Sequence, residues 1–376
     1  MIDKGGEPVK KILFLIDSLR GGGAEKVLVN LLNHINTDEF DVTVETMFFN
    51  GVNAANLSPK IKLFCRNAPY FKGVSHVMKY IPEKLLYRYF IGKKKYDVIV
   101  AYMHGAPAKV VSGCTDSDVR KYAWIHTKIG KGSTVFKFHR NKNDSVKSYA
   151  KFDKIVAVSE DVRKRFDEET GLGYKTVVIY NTNDVDKIKS LSREDFSFDS
   201  NRFHICTLGR LSSEKGYDRL VRTAKRLKES GPDFDIHILG DGPERETLSS
   251  LIEANNLKNT VYLDGYTENP YRVLSRSDLF VCSSLIEGLS TALSEAVILG
   301  VPCVSTDVSG AKEVLGYNNE YGIVTENNED DLYKALYSMI TDKKLYEKYS
   351  DSVKLRKSFF DTKKTVGDVE ELLRKN

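Results

Sequence analysis

The stretch KKILFLIDS passes through the glycine turn LRGGGAEK into apolar residues at helical spacing: Val27, Leu28, Leu31, Leu32 and Ile35. The same programme restarts at FHICTLG, runs through the polar turn RLSSEKG, and enters YDRLVRTAKRLKES. Between and after these openings come further short apolar runs: FDVTVETM, YDVIVAY, KYAWIH, KIVAVS and TVVIY, then FDIHILG, TVYLDG, LFVCSS and VPCVST. Their spacing leaves room for crossover helices, which predicts mostly parallel sheets flanked by helices. At 376 residues the chain exceeds one ordinary core. The expected fold is α/β, with two Rossmann-like doubly wound domains. They are joined near residues 183–200, within the polar segment YNTNDVDKIKSLSREDFSFDSN. We assign residues 1–185 to an N-terminal domain and 186–355 to a C-terminal one. A C-terminal helix within 356–376 is expected to pack back on the first domain.

Composition narrows the function classes. No uncharged apolar run reaches membrane-spanning length, and VKKILFLIDS is too short for a secretory signal and opens a folded unit. The five cysteines (Cys65, Cys114, Cys206, Cys282, Cys303) are scattered, odd in number and without a CxxC pair, which argues against a disulfide framework or a zinc site and predicts a reducing cytoplasm. The net charge of +5 is mild but uneven: residues 120–154 hold ten Lys or Arg against Asp144 and Asp153 alone. Upstream, Lys79, Lys84, Arg88 and Lys93 to Lys95 alternate with Ile81, Leu85, Leu86, Tyr89 and Phe90. Such a surface suits anionic lipid, nucleic acid or a phosphorylated substrate, and is equally the solvated face of a packed helix.

In doubly wound sheets, ligands bind beyond the carboxyl ends of the strands. After the first strand, three glycines ahead of a helix let the backbone approach an anion, although a glycine turn alone carries no function. The spacing is not GxGxxG with a later acidic residue, so a nicotinamide site is disfavoured. After the first strand of the second half, Arg210 and Lys215 flank a helix start and suit a diphosphate; alone they would be ordinary surface cations. Then comes EGLSTALSE, with Glu287 and Glu295 bracketing a helix start. Ser290 is the expected N-cap, and Leu293, Ala296 and Val297 face inward. Eight helical residues would separate the carboxylates by roughly 12 Å, beyond the about 5–9.5 Å of a glycosidase pair. An anion-binding helix start between two carboxylates that can bind hydroxyls instead matches a nucleotide sugar lying across it.

With these motifs the chain resembles the family 4 GT-B glycosyltransferases, a retaining, nucleotide-sugar-dependent group. Glu287 and Glu295 stand as its E-x7-E element and Arg210 and Lys215 as its phosphate element. Gly22, Gly23, Ala24 and Glu25 stand as its N-terminal GGAE loop. LGDGPE and VYLDGY (Val261 to Tyr266) stand in the family's order, and the likeness spans nearly the whole chain, most strongly over 203–315. The resemblance implies two domains facing across a cleft. It implies Glu287 on donor-sugar hydroxyls, Glu295 on the ribose, and His126, at the end of KYAWIH, touching donor sugar or acceptor. Gly22, Gly23, Gly288, Leu289 and Ser290 would present backbone groups to the donor, and Tyr266 the base. Ser159 and Asn181 are weaker candidates. A family PNGVD-like stretch is replaced here by YNTNDVD, whose Asp184 and Asp186 spell DxD in the linker, a coincidence on this reading. No compact cluster of His, Cys or carboxylates in the sequence proposes a metal.

The implied reaction moves a sugar from a nucleoside diphosphate, UDP by the family's common usage, to a glycan acceptor without metal or other cofactor. Arg210, Lys215 and helix-end N–H groups stabilise the departing diphosphate. A polyprenyl-diphosphate-linked acceptor would place the enzyme on the inner face of a bacterial membrane, building surface polysaccharide such as capsule. The basic first domain would then dock on anionic lipid rather than on nucleic acid. A catalytically silent nucleotide-sugar-binding subunit and a GT-B sugar-nucleotide epimerase are the alternatives.

Overall fold

The computed structural model describes residues 9–92, 94–129, 134–199 and 201–375. The chain divides into two compact units, Met1–Thr182 with Thr362–Asn376, and Asn183–Asp361. In the first unit the strands are β1 (Lys10–Ser18), β2 (Phe40–Phe49), β3 (Lys62–Cys65), β4 (Val98–Ala101), β5 (Arg120–Ile125), β6 (Lys154–Ala157) and β7 (Thr176–Val178). They lie in the order β3-β2-β1-β4-β5-β6-β7, every pair parallel. In β1, Ile12 to Ile16 are all buried without alternation, as a strand covered on both faces must be. The helix Gly23–His34 returns the chain and buries Val27, Leu28, Leu31 and Leu32. The terminal helix Thr362–Arg374 belongs to this unit: the Tyr122 hydroxyl donates to the Leu372 carbonyl (3.1 Å), and Glu370 accepts from the Asn36 N–H (2.8 Å).

The second unit holds β8 (Phe203–Leu208), β9 (Phe234–Leu239), β10 (Val261–Gly265), β11 (Leu279–Cys282), β12 (Cys303–Thr306) and β13 (Ile323–Thr325). Their order is β10-β9-β8-β11-β12-β13, again parallel throughout. One face of β8–β10 presents Ile205, Phe234, Ile236, Ile238 and Val261 to a core completed by Leu220, Val221 and Leu227 of the helix Tyr217–Glu229. Leu332, Leu336 and Met339 of the helix Glu329–Thr341 join the same core. In both sheets the chain reverses direction of growth beside the first strand, between β1 and β4 and between β8 and β11. Those switch points open at the carboxyl ends of the strands.

Two strands and one helix depart from the sequence reading. β3 and β13 are short sheet-edge strands, and β3 is largely exposed, so neither carries a buried apolar run. The polar linker, where no element was expected, forms the helix Val185–Leu191, whose N-cap is Asp184: its carboxylate accepts from the Lys187 N–H at 3.1 Å. One member of the DxD string therefore serves as a helix cap.

Candidate functional site

In the second unit, the loops after β8 and β11 converge. Gly216 ends the 3-10 turn Ser213–Lys215 in the left-handed region (φ 62°) and caps the following helix. A Cβ there would strike the Ser283 carbonyl oxygen, so only glycine lets these two loops meet. Their meeting joins Lys215 to Glu287, Nζ to Oε1 at 2.7 Å, across 72 residues of sequence. The Ser284 hydroxyl donates to the same Oε1 (2.7 Å), and the Ser283 hydroxyl donates to the Lys215 carbonyl (2.9 Å). Burial alone would lower the Lys215 pKa, but the adjoining Glu287 carboxylate outweighs it and the net shift is upward. The lysine is thus a firmly held cation at a mostly buried position.

The helix Thr291–Leu299 follows directly. Ser290 Oγ accepts from the Leu293 N–H at 3.3 Å, and Leu293, Ala296 and Val297 are buried, as the sequence predicts. Gly288, Leu289 and Ser290 form the approach to this helix start. Glu295 is buried rather than presented at a surface: its side chain accepts from the Tyr271 hydroxyl at 3.1 Å. Arg210 and Tyr266 are exposed, and Tyr266 reaches 66 % of full exposure. Lys215 and Glu287 therefore meet directly, Ser290 caps and Glu295 lies within the helix that follows, and Arg210 and Tyr266 come just after β8 and β10.

Sequence reasoning missed the supports of this group. Arg219 is buried; its Nε donates to the Ser283 carbonyl (2.8 Å), Nη2 to the Ser284 carbonyl (2.6 Å) and Nη1 to Asn327 Oδ1 (2.7 Å). A buried arginine on the inner side of a helix, in YDRLVR, is the one signal that could have revealed it. Tyr271, behind Glu295, gave none.

In the first unit, Gly22 is the N-cap of Gly23–His34, with Glu25 in its first turn. His126 lies just past β5, its ring 4.8 Å from that of Tyr102. Its Nε2 is buried without a partner, and burial, then the neighbouring His104, push its pKa down to about 3. It is a neutral imidazole at physiological pH. His104, after β4, is lowered to about 4 by burial. Asp17, at the end of β1, is raised to about 7 by burial and then by the charge of Glu25. Asp17 and His104 were not picked out in the sequence; ID and MH after apolar strands are too common to signal anything. Ser159 caps the helix Glu160–Thr170, accepting from the Val162 N–H at 3.2 Å, and Asn181 is buried. Among the described residues, the His, Cys and carboxylate atoms close enough to share an ion lie elsewhere, on β8 and β9.

Comparison with known proteins covers both units. Residues 188–356 match the model of the glycosyl transferases group 1, and residues 21–187 that of glycosyltransferase family 4. A Campylobacter jejuni N-acetylgalactosamine-N,N'-diacetylbacillosaminyl-diphospho-undecaprenol 4-alpha-N-acetylgalactosaminyltransferase is 31% identical over 74% of this chain and 73% of its own length. An uncharacterized glycosyltransferase of Methanocaldococcus jannaschii is 32% identical over 57% of this chain, the match spanning 62% of that protein. Among solved structures, Anabaena HepE in complex with UDP is similar in fold at a TM-score of 0.74 and 21% identity, over 96% of this chain and 99% of its own.

Proposed function

Because this chain belongs to the family 4 glycosyltransferases, with their two-domain GT-B fold, we propose that it transfers a sugar from a UDP-sugar to a glycan acceptor with retention of anomeric configuration. The observation that carries this reading is the Lys215–Glu287 pair beside the Ser290-capped helix start, at the switch point of the second sheet. On donor binding, Lys215 exchanges the Glu287 carboxylate for the diphosphate, and Glu287 turns to hydroxyls of the donor sugar. Arg210 and the N–H groups from Gly288 to Ser290 complete the anion site, and the Gly22–Gly23 backbone is assigned the same chemistry. Glu295 takes the ribose, at the cost of its hydrogen bond from Tyr271. Tyr266 and its strand end take the base. Neutral His126 serves the donor sugar or the acceptor as a hydrogen-bond partner.

The chemical step breaks the bond between the anomeric carbon and the phosphate oxygen. It forms one to the acceptor oxygen on the same face. The acceptor's proton passes to the leaving phosphate, so no separate base or metal is required. Lysine, arginine and helix-end dipoles supply the charge that a divalent ion supplies elsewhere.

The acceptor we propose is a lipid-linked glycan of bacterial surface polysaccharide synthesis; the name of the Campylobacter relative contains a diphospho-undecaprenol-linked sugar, which supports the lipid link. The helices Val74–Tyr80 and Glu83–Phe90 expose Val77, Tyr80, Leu85 and Tyr89, with Lys84 and Arg88 exposed beside them. That combination suits an anionic membrane surface on the cytoplasmic side. Among the described residues no helix is long and apolar enough to cross a membrane. Lys93 lies outside the described residues, and Lys94 is held by the buried Glu45 (3.1 Å), so the exposed Lys84, Arg88 and Lys95 carry the charge of the patch.

Screening UDP- and GDP-sugars for consumption, with and without polyprenyl-diphosphate-linked acceptors, tests the reading. Transfer from a UDP-sugar supports it. Binding without consumption would favour the silent subunit, and conversion to a different UDP-sugar the epimerase.

A further inference from the structure

The two faces of β8–β10 differ in chemistry. One is the apolar core face; the other carries His204, Asp235, His237, Tyr262 and Asp264. Neighbouring register brings three of them together. His204 Nδ1 lies 2.6 Å from Asp235 Oδ1, and His237 Nε2 lies 3.3 Å from the same oxygen. One ligand atom from each of the three falls within 4.8 Å of the others. Bonds of about 2.0–2.2 Å to a tetrahedral ion hold their donor atoms roughly 3.3–3.5 Å apart, so small side-chain adjustments would admit one.

Two further observations point to a ligand. The second nitrogen of His237, Nδ1, is 2.9 Å from Asp264 Oδ2, the carboxylate–histidine arrangement that orients a metal-binding imidazole. Both imidazoles are also fixed by aromatic rings. Phe198 stacks on His204 at 3.8 Å and 16°, and Tyr262 stacks on His237 at 5.0 Å and 14°. Ring planes held this way lose little entropy on coordination. His237 and Asp264 keep side-chain exposures of 16% and 33%, which gives an ion and one water an entry path.

We propose that His204 Nδ1, Asp235 Oδ1 and His237 Nε2 form a divalent transition-metal site, with water as fourth ligand and zinc as the preferred ion. Two imidazoles and one carboxylate suit zinc, and cobalt(II) can substitute for it. Entry of the ion displaces protons now shared between Asp235 and the two rings. The site begins at the amino end of β8, whereas Arg210, Lys215 and Glu287 follow the carboxyl ends of β8 and β11, so the ion is given a structural role rather than a part in the chemical step. Phe198 belongs to the segment entering β8. An ion beneath it would clamp that segment onto the neighbouring strands β8 and β9.

The test uses the untagged full chain, stripped with a chelator, reloaded with one equivalent of zinc and desalted. The expected result is one retained zinc per chain, a raised melting temperature, and visible ligand-field bands of tetrahedral type with cobalt(II). Asp235→Asn and His237→Gln should each abolish retention. Asp264→Asn, a milder change at a part-exposed position, should fold normally and weaken affinity by about ten- to a hundredfold. Failure of the wild type to retain zinc overturns the proposal, and so does equal retention by the folded variants. If Asp235→Asn or His237→Gln does not fold, Asp264→Asn decides: unchanged affinity in that variant counts against the site.

Discussion

In the proposed division of roles Glu287 holds hydroxyls of the donor sugar, which bare UDP lacks. We therefore predict a Glu287→Ala variant that still binds UDP but turns over poorly. Glu295→Ala should weaken UDP and UDP-sugar binding alike, because the ribose is common to both. Calorimetry with UDP separates them, and equal losses would refute this division of roles. Lys215→Ala removes a preorganised cation from the leaving diphosphate, which should cost about 10²–10³ in turnover. Acid–base behaviour gives a second residue-scale expectation. Asp17 titrates near 7 in the fold against 3.8 as its ordinary value, so the unfolded chain releases this proton first. Stability is then lost as pH rises through that window, and Asp17→Asn should remove the loss. Melting curves of variant and wild type should diverge between about pH 4 and 7 and stay apart above it; parallel curves would contradict the assignment. His126 has the opposite sign. Its folded value near 3 against 6.5 makes stability fall as pH drops below 6.5, and His126→Gln should blunt that fall.

At the scale of elements, the helix Thr291–Leu299 was legible because its cap and its inward residues agree. Ser290→Ala should cost about 1 kcal/mol of stability, read by urea unfolding, and a neutral result would mean the cap is not made. Long buried strands were equally legible, since unbroken apolar runs such as ILFLI admit few other fates. β3 and β13 were not, because short sheet-edge strands bury too little to leave a pattern. The linker helix Val185–Leu191 was hidden for a similar reason: it buries only Ile188. The Lys215–Glu287 contact could be named only by resemblance, because no local rule relates residues 72 apart. The cluster of His204, Asp235 and His237 shows why a sequence scan for metal spacing fails on sheets. Its ligands come from two neighbouring strands, and its one local trace is the apolar–polar alternation in FDIHIL, unusual for a parallel strand.

At the scale of the whole molecule, docking and chemistry are separable. Lys84→Glu with Arg88→Glu should reduce sedimentation with anionic vesicles and spare transfer to a short soluble acceptor. Indifference of the wild type to such vesicles at low salt would remove the membrane from the account. Turnover should persist in EDTA at temperatures where the chain stays folded, and manganese should not raise it; the reverse would reinstate a catalytic metal. Transfer from a UDP-sugar with retention of configuration is what the proposed site must deliver. The most direct measurement is proton NMR of the anomeric signal at early times, while a UDP-sugar is consumed by the wild type and by Glu287→Ala. We predict a first-formed product with the donor's own anomeric configuration, and little consumption by the variant. An inverted product, or a wild type that consumes no UDP-sugar, would contradict it.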